Sequence, residues 1–329
     1  MKRFTAGAAV IALFSSVGVW SAGAATDPLG SIGIVGPADA GVQAVRQAAP
    51  PGPTLAGCPM FPADAPFNQR VDSLPRAANS DAIIANIQAA GSRVLHPDFG
   101  ENPDYGLGIN VVGAGQPLVP IRYTHWPQES DPGPYPIPDA ADYQHGGDQH
   151  LYLLDAARCR ISEFYLTGRD GQGWYAANGA SWDTKVWQPR PIRWTSSNAA
   201  GLPAIPLTAR CDEIEAGHID HVISTSMSVV GPGFISPASH SGPNSNAANL
   251  PVNGTRLRLK AGFDTSGFPP QAKILLETFK TYGMIVADIG VSWYFNGAKG
   301  SCWDDSQLTQ LYRVPGTEFE VVDSGPTQQ

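Results

Sequence analysis

Two carboxylates and an imidazole lie near the middle of the chain, at Asp148, His150 and Glu163, with a spacing that a β-hairpin would bring together. If residues 155–158 form the turn of a β-hairpin, His150 lies opposite Glu163 on the neighbouring strand. Asp148 and Tyr152 then share that face, because successive side chains of a strand point to opposite faces. Carboxylates beside an imidazole can perform acid–base catalysis. The pattern predicts a catalytic set, and the alternative interpretation is a solvated cross-strand pair.

A metal site is another interpretation of the same stretch. His145, Asp148 and His150 carry ligand-type side chains, but their spacing matches no regular metal-binding pattern. The sequence also contains no Walker A loop, dinucleotide fingerprint, HExxH helix or G-x-S-x-G elbow. We therefore predict no metal and no other cofactor.

Two further segments contribute candidate acids. Alternation from His218 onward places His218 and Asp220 on one strand face and His221, flanked by isoleucines, on the other. Asp220 is therefore a reserve catalytic carboxylate. His221 is interpreted as a core histidine unless His240 or a carboxylate lies beside it. Asp288 follows an apolar strand and precedes a glycine-containing turn, where it is either a turn former or a cleft acid.

Aromatic residues suggest a class of ligand. Trp174 and Trp182 lie in a segment rich in glycine, asparagine and proline, and Trp293 lies nearer the C terminus. Exposed indole faces beside carboxylates suit stacking on sugar rings. These three residues and Tyr152 are therefore predicted to bind substrate. The alternative is that the tryptophans fill the core of a β protein.

The four cysteines form no CxxC or zinc pattern. In an oxidising compartment, an even and scattered set forms two disulfides. Of the three possible connectivities, we favour Cys58 with Cys159 and Cys211 with Cys302. Each pair would tie a loop-rich segment to a more strand-like one.

The elements that must position these residues are mainly strands. The 30 prolines and 36 glycines fall in clusters between short strand-like runs, which is typical of loops on a sheet scaffold. Helices are predicted only at 81–90, 271–282 and 306–312. We predict a mainly β fold, an antiparallel β-sandwich or jelly-roll-like single domain with two or three short peripheral helices.

The N terminus has the pattern of a secretory signal peptide. Lys2 and Arg3 precede an uncharged apolar run, and a small-residue cleavage site lies near Ala24. The predicted segments are a signal peptide at 1–24, a flexible Ala/Gly/Pro-rich leader at 25–57, a β-rich domain at 58–323 and a disordered tail at 324–329. No later run is long and apolar enough to span a membrane. We therefore predict secretion to the extracellular or periplasmic space.

The chain is acidic, with a formal net charge of −8. Removal of Lys2 and Arg3 with the signal peptide would make it −10. No cluster of lysine and arginine is present, so neither nucleic acid nor an anionic membrane is a predicted partner. The sequence leaves the oligomeric state open.

Four phrases of the sequence are distinctive. They read ESDPGPYPIP at 129–138, WTSSNAAGLP at 194–203, LRLKA at 257–261 and KTYGMIVAD at 280–288. In these phrases the chain resembles a group of exported bacterial proteins with no assigned activity. The resemblance spans Cys58 to Val322 and implies one domain, without implying a mechanism. Cys211 replaces an aromatic residue of the group, and Ser239 precedes His240 where an Arg–His pair is expected.

Export, acidity, clustered tryptophans and carboxylates on sheet faces together indicate a glycoside hydrolase acting on an extracellular polysaccharide or cell-wall glycan. This reaction needs one carboxyl as general acid and a second as nucleophile or base. Glu163 and Asp148 are the first pair, His150 tunes Glu163, and Asp220 and Asp288 are in reserve. The alternatives are a non-catalytic glycan- or cell-wall-binding module and a metal-dependent extracellular enzyme.

Overall fold

A computed structural model describes residues 52–144 and 147–329 of the chain. The predicted signal peptide at 1–24, most of the predicted leader and His145 lie outside the described residues. The described part begins at Gly52, shortly before the predicted start of the domain at Cys58.

Four α-helices occur in the described residues: α1 (Ser80–Ala90), α2 (Cys211–Ala216), α3 (Pro270–Thr281) and α4 (Asp305–Leu308). The predicted helices correspond to α1, α3 and α4, whereas α2 was not predicted. α3 starts with proline, which loses no helical hydrogen bond at that position. Its buried stripe is the predicted one, and consists of Ala272, Leu275, Leu276 and Phe279. None of the described helices has the length and hydrophobicity needed to cross a bilayer.

The strands of the described residues are short. They are β1 (Thr54–Leu55), β2 (Cys58–Pro59), β3 (His96–Pro97), β4 (Ile109–Val112), β5 (Ile121–Tyr123), β6 (Leu151–Asp155), β7 (Arg160–Tyr165), β8 (Gly168–Asp170), β9 (Gly173–Ala176), β10 (Asn178–Asp183), β11 (Ile223–Met227), β12 (Arg256–Leu259), β13 (Met284–Ile289), β14 (Tyr294–Phe295) and β15 (Phe319–Val321). The prediction of a mainly β, sheet-rich fold with few short helices is confirmed.

Two larger sheets organise the described strands. One has the order β10-β7-β6-β4 and the other the order β15-β12-β13-β11-β14-β3. Parallel pairs occur in both, for example β4 with β6 and β11 with β13. The pairing is therefore mixed, whereas the sequence predicted antiparallel pairing. Long connections between sheet neighbours allow the chain to return in either direction, and strand patterns do not encode that direction.

The four-stranded sheet separates two hydrophobic clusters. Leu151 and Leu153 pack into a cluster on one face, while Tyr152 and Leu154 pack into a second cluster on the other face. Every residue of β6 is therefore buried. A third cluster contains the apolar stripe of α3 and residues of the six-stranded sheet.

β6 and β7 form the predicted hairpin in a different register. Tyr152 pairs with Glu163, whereas the sequence placed His150 there. The turn has the predicted length but lies one position later, at 156–159, because Asp155 ends β6 and caps the turn, accepting hydrogen bonds from two of its backbone N–H groups. The register differs by two residues, so every side chain stays on its predicted face. His150 and Tyr152 therefore still lie on the face of Glu163.

Both predicted disulfides are present. Cys58 is bonded to Cys159 with a Cα–Cα distance of 5.2 Å, and Cys211 to Cys302 with 5.6 Å. The first fastens β2 to the turn between β6 and β7. Two disulfides in one chain fit an oxidising compartment.

The ordered part of the domain extends beyond its predicted bounds. β1, which lies in the segment that was assigned to the leader, pairs with β2 at the start of the predicted domain. At the C terminus, Gln328 exchanges two backbone hydrogen bonds with Phe234, with N–O distances of 2.8 and 3.0 Å. The tail at 324–329 was therefore wrongly predicted to be disordered. These contacts use backbone groups, which composition does not reveal.

Candidate functional site

Residues 194–205 form a loop, here called the bridging loop, that contacts both larger sheets. Its Ser197 carbonyl accepts a hydrogen bond from His150, and its Ala200 N–H donates to the carbonyl of Ala287 at 3.0 Å. The loop turns at Gly201, which has a φ of +71° and where a Cβ would collide with the carbonyl oxygen of Trp194. Side chains from β6, β7 and β13 consequently meet at one loop.

Glu163 is fully buried beneath the bridging loop. Its Oε1 accepts hydrogen bonds from the N–H groups of Ala204 and Ile205, both at 2.9 Å. Its Oε2 accepts from Ala204 N–H at 2.8 Å and from the Ser197 hydroxyl at 3.0 Å. Burial raises the pKa of Glu163 to about 7, although these hydrogen bonds oppose the shift. Because both oxygens are enclosed and occupied, Glu163 holds the loop and does not contact a substrate, which corrects its predicted catalytic role.

His150 is joined to Glu163 indirectly. Its Nε2–H donates to the Ser197 carbonyl at 2.8 Å, while the hydroxyl of the same serine bonds Glu163. Burial lowers the pKa of His150, so the imidazole is neutral at pH 7. Its Nδ1 has no hydrogen-bond partner among the described residues and carries the lone pair. The predicted direct pair with Glu163 is thus replaced by contact through the bridging loop.

Asp288 lies near the end of β13, opposite a register shift in β11. Its carboxylate accepts a hydrogen bond from Ile289 N–H at 2.8 Å and another from Ala199 N–H in the bridging loop. Burial raises the pKa of Asp288 to about 6, and the negative charge of Asp148 adds to the increase. Asp288 is therefore a partly buried acid rather than only a turn former.

Asp148 lies in the turn that precedes β6, close enough for its charge to act on Asp288. It is exposed and accepts a hydrogen bond from the hydroxyl of Tyr165. Burial raises the pKa of Tyr165, and the charges of both Asp148 and Asp288 contribute. Tyr165 therefore lies close to both carboxylates. We call Asp148 and Asp288 the carboxylate pair.

The carboxylate pair provides two different functional groups. Asp288 retains its proton up to about pH 6, so it can donate a proton in mildly acidic solution. Asp148 faces solvent and can accept a proton or attack an electrophile. Two carboxyl groups in unlike environments are a recurring arrangement for general acid catalysis.

The pKa of Asp288 predicts a pH-dependent contribution to stability. Because its pKa is about 6 in the folded protein and 3.8 is the ordinary value, the folded state binds the proton more tightly. Relative to an Asp288→Asn variant, the wild type should therefore lose about 2.5 kcal/mol of unfolding free energy as the pH rises from 4 to 7. Urea unfolding at pH 4, 5, 6 and 7 measures the difference.

The matched control is Asp139→Asn, because the Asp139 side chain is 97% exposed. This variant should follow the wild-type curve throughout. A constant difference between the wild type and Asp288→Asn from pH 4 to 7 would contradict the assigned pKa.

The three predicted tryptophan platforms are buried. Trp174 is 6% exposed, Trp182 is 5% exposed and Trp293 is 0% exposed. Tyr152 is also buried, and its hydroxyl bonds Ser197 beneath the bridging loop. Covered rings cannot stack on a sugar, so these residues fill the core. The prediction failed because strands β9 and β10, which carry the first two tryptophans, were taken for a loop.

Asp220 belongs to a separate surface feature. Its carboxylate lies 3.2 Å from Nδ1 of His218 and accepts a hydrogen bond from Tyr282. Two cavities of about 520 and 560 Å³ meet at these three residues. Neither member of the carboxylate pair lines the cavities, so the structure does not bring Asp220 to them.

His221 is fully buried, as the core interpretation predicted. A carboxylate does lie beside it, since its Nε2 is 2.9 Å from Glu213 Oε1. Burial would raise the pKa of Glu213, but the charges of His221 and Arg210 hold it below the usual value. His240 lies elsewhere, with its Nδ1 bonded to the Ala199 carbonyl at 2.7 Å. His221, Glu213 and Arg210 thus form a buried polar network.

The metal interpretation gains no structural support. Within residues 52–144 and 147–329, no three His, Cys, Asp or Glu side chains are arranged to hold a metal ion. Asp148 and His150 are in this range. His145, the other proposed ligand, lies outside it.

Sequence reasoning missed two residues of the site, Tyr165 and Ser197. Tyr165 is two positions after Glu163, so strand alternation already placed it on the same face. Ser197 lies in the distinctive phrase at 194–203. No local pattern indicated that this phrase crosses the sheet. Comparison with known proteins returned no matching family model, curated protein or solved structure.

Proposed function

We propose that the protein is a secreted glycoside hydrolase that acts on an extracellular polysaccharide through the carboxylate pair. Asp288 protonates the glycosidic oxygen as the C1–O bond breaks. In one route Asp148 takes a proton from the water that attacks C1 and passes it to solvent, and Asp288 is reprotonated from solvent. In the other route Asp148 attacks C1 itself to form a glycosyl ester, which water hydrolyses as Asp288 takes that water's proton. Both routes give a new reducing end and a free hydroxyl.

One observation carries this proposal: the charge of Asp148, in the turn before β6, acts on Asp288 in β13, whose pKa is raised to about 6. A general acid must carry a proton at the working pH so that it can protonate the leaving group. The neutral His150 and the hydroxyl of Tyr165 lie beside the pair and can orient a sugar hydroxyl or water. The reaction needs no group that the chain does not supply. The two disulfides fit the proposed secretion.

The test is a reducing-sugar assay on a panel of soluble polysaccharides and aryl glycosides. Wild-type activity should fall above about pH 6, where Asp288 loses its proton. Asp288→Asn and Asp148→Asn should each lower kcat by at least about 100-fold. The anomeric configuration of the first product, read by NMR, distinguishes base from nucleophile for Asp148.

Two variants control this experiment. Asp139→Asn changes an exposed carboxylate outside the pair and should retain wild-type kcat. Glu163→Gln should also retain activity, because Glu163 is enclosed beneath the loop. Full activity in Asp288→Asn would exclude the proposed mechanism.

A glycan-binding module without catalysis is the second candidate. The observation in its favour is that the two cavities at His218, Asp220 and Tyr282 lie apart from the carboxylate pair. Binding of a polysaccharide without release of reducing ends from any substrate would support the module and reject the hydrolase.

A further inference from the structure

Three aromatic rings stack at the edge of the six-stranded sheet, where β3 pairs with β14. The ring centroid of His96 lies 3.9 Å from that of Tyr294, with an interplanar angle of 2°, and 4.8 Å from that of Tyr312. Tyr312 is 40% exposed, and the neighbouring Tyr105 is 49% exposed. We call His96, Tyr105, Tyr294 and Tyr312 the tyrosine platform. Unlike Trp174, Trp182 and Trp293, the platform presents ring surface to solvent.

The backbone fixes this stack. Parallel pairing of β3 with β14 places His96 directly beside Tyr294. The His96 ring is held by a hydrogen bond between Nδ1 and the Pro97 carbonyl at 2.9 Å. Burial lowers the pKa of His96, so the ring is neutral at pH 7. The platform is therefore preorganised and uncharged.

A carboxylate without a partner lies beside the platform. Asp98 is half-buried, and its side chain makes no hydrogen bond to any described residue. It is close enough for its charge to act on His96 and Tyr294. A buried acceptor normally finds a donor. Asp98 is thus available to accept a hydrogen bond from a ligand.

We propose that the tyrosine platform binds a neutral carbohydrate, with a sugar ring on the exposed face of Tyr312 and a sugar hydroxyl donating to Asp98. The C–H groups of a pyranose pack on an aromatic face, while the hydroxyls at its edge require acceptors. The platform and Asp98 supply these two contacts side by side.

The surroundings exclude other ligand classes. Glu101 and Asp305 lie near the platform and bond each other's backbone N–H groups. Together with Asp98 they repel an anionic ligand. A quaternary ammonium group is held by rings that surround it, whereas His96 and Tyr312 are stacked and offer one flat face.

The choice of a polysaccharide as the probe rests on the proposed function. Binding at the platform does not require turnover at the carboxylate pair. The two proposals can therefore fail separately.

The experiment measures binding of the full chain to cellulose, chitin and xylan by sedimentation, and to soluble neutral oligosaccharides by calorimetry. We expect wild type to bind at least one of these glycans. Tyr312→Ala should weaken this binding about tenfold or more, and Asp98→Asn should weaken it as well. Trp126→Ala is the matched control, because Trp126 is also 40% exposed and contacts a histidine ring elsewhere. It should bind like wild type.

The outcomes separate the two proposals. Asp288→Asn should bind normally, and Tyr312→Ala should retain turnover of a small aryl glycoside. The inference is overturned if the wild type binds none of the glycans, or if Tyr312→Ala binds as wild type does. Loss of binding in Tyr312→Ala, with an unchanged melting temperature and no turnover by the wild type, supports the platform and rejects the hydrolase.

Discussion

Replacement of Glu163 by alanine is expected to lower the free energy of unfolding by about 3 to 5 kcal/mol. The carboxylate accepts hydrogen bonds from the N–H groups of Ala204 and Ile205 and from the Ser197 hydroxyl. All three donors face a site that water does not reach, since Glu163 is 0% exposed. Removing the acceptor leaves two backbone N–H groups and one hydroxyl without a hydrogen-bond partner. Urea unfolding at pH 7 measures the loss.

Glu163→Gln distinguishes hydrogen bonding from charge. A glutamine carbonyl in the Oε1 position still accepts from Ala204 and Ile205, and its amide can donate to Ser197. We therefore expect a loss of only about 1 kcal/mol. Glu215→Ala controls for loss of a glutamate side chain, because Glu215 is exposed, and it should unfold like wild type. A loss below about 1 kcal/mol in Glu163→Ala would show that the bridging loop does not depend on this carboxylate.

Removal of either disulfide is expected to cost about 4 to 5 kcal/mol of unfolding free energy. The two bonds close loops of 101 and 91 residues in sequence, so each strongly restricts the unfolded chain. The variants are Cys58→Ala with Cys159→Ala, and Cys211→Ala with Cys302→Ala. Urea unfolding without reductant gives both values.

Reductant provides the internal control for this prediction. Dithiothreitol should destabilise the wild type and each single-disulfide variant, and should have no effect on the variant that lacks all four cysteines. If reduced and oxidised wild type unfold at the same urea concentration, the disulfides do not contribute as predicted.

The hairpin shows what strand alternation can predict. The sequence placed Glu163, His150 and Tyr152 on one face, and the structure does so as well. The register itself was off by two residues, because the capping of the turn by Asp155 was not anticipated. The sheet face that a side chain occupies follows from the local alternation of the strand, whereas the pairing register depends on the particular turn.

Burial was less predictable than strand location. The chain around Trp174 and Trp182 is rich in glycine and asparagine, which predicts a loop. β8, β9 and β10 form there because their neighbours in the sheets supply pairing and apolar contacts. Tertiary context thus overrides local propensity. The same context buries Glu163. Strand alternation alone was equally consistent with a Glu163 side chain that lines a cleft.

The approach of Asp148 to Asp288 could not be predicted from sequence. Both were candidates, but they are separated by 140 positions, and Asp148 lies in the turn before β6 whereas Asp288 lies in β13. Their proximity depends on the bridging loop, which bonds Tyr152 of β6, Glu163 of β7 and Ala287 of β13. The disulfide pairing, by contrast, was predicted correctly from the expectation that each bond ties a loop-rich segment to a more strand-like one.

The two-sided burial of β6 predicts where natural variants of this chain can change length. One extra residue inside β6 would move Tyr152 and Leu153 each to the opposite face, so both neighbouring clusters would be disrupted together. The loop after β4 has no such constraint, because the positions beside Gly113 and Gly115 open into empty space. Inserted tags and lineage-specific extensions should therefore be tolerated at residues 113–116 and rejected in β6.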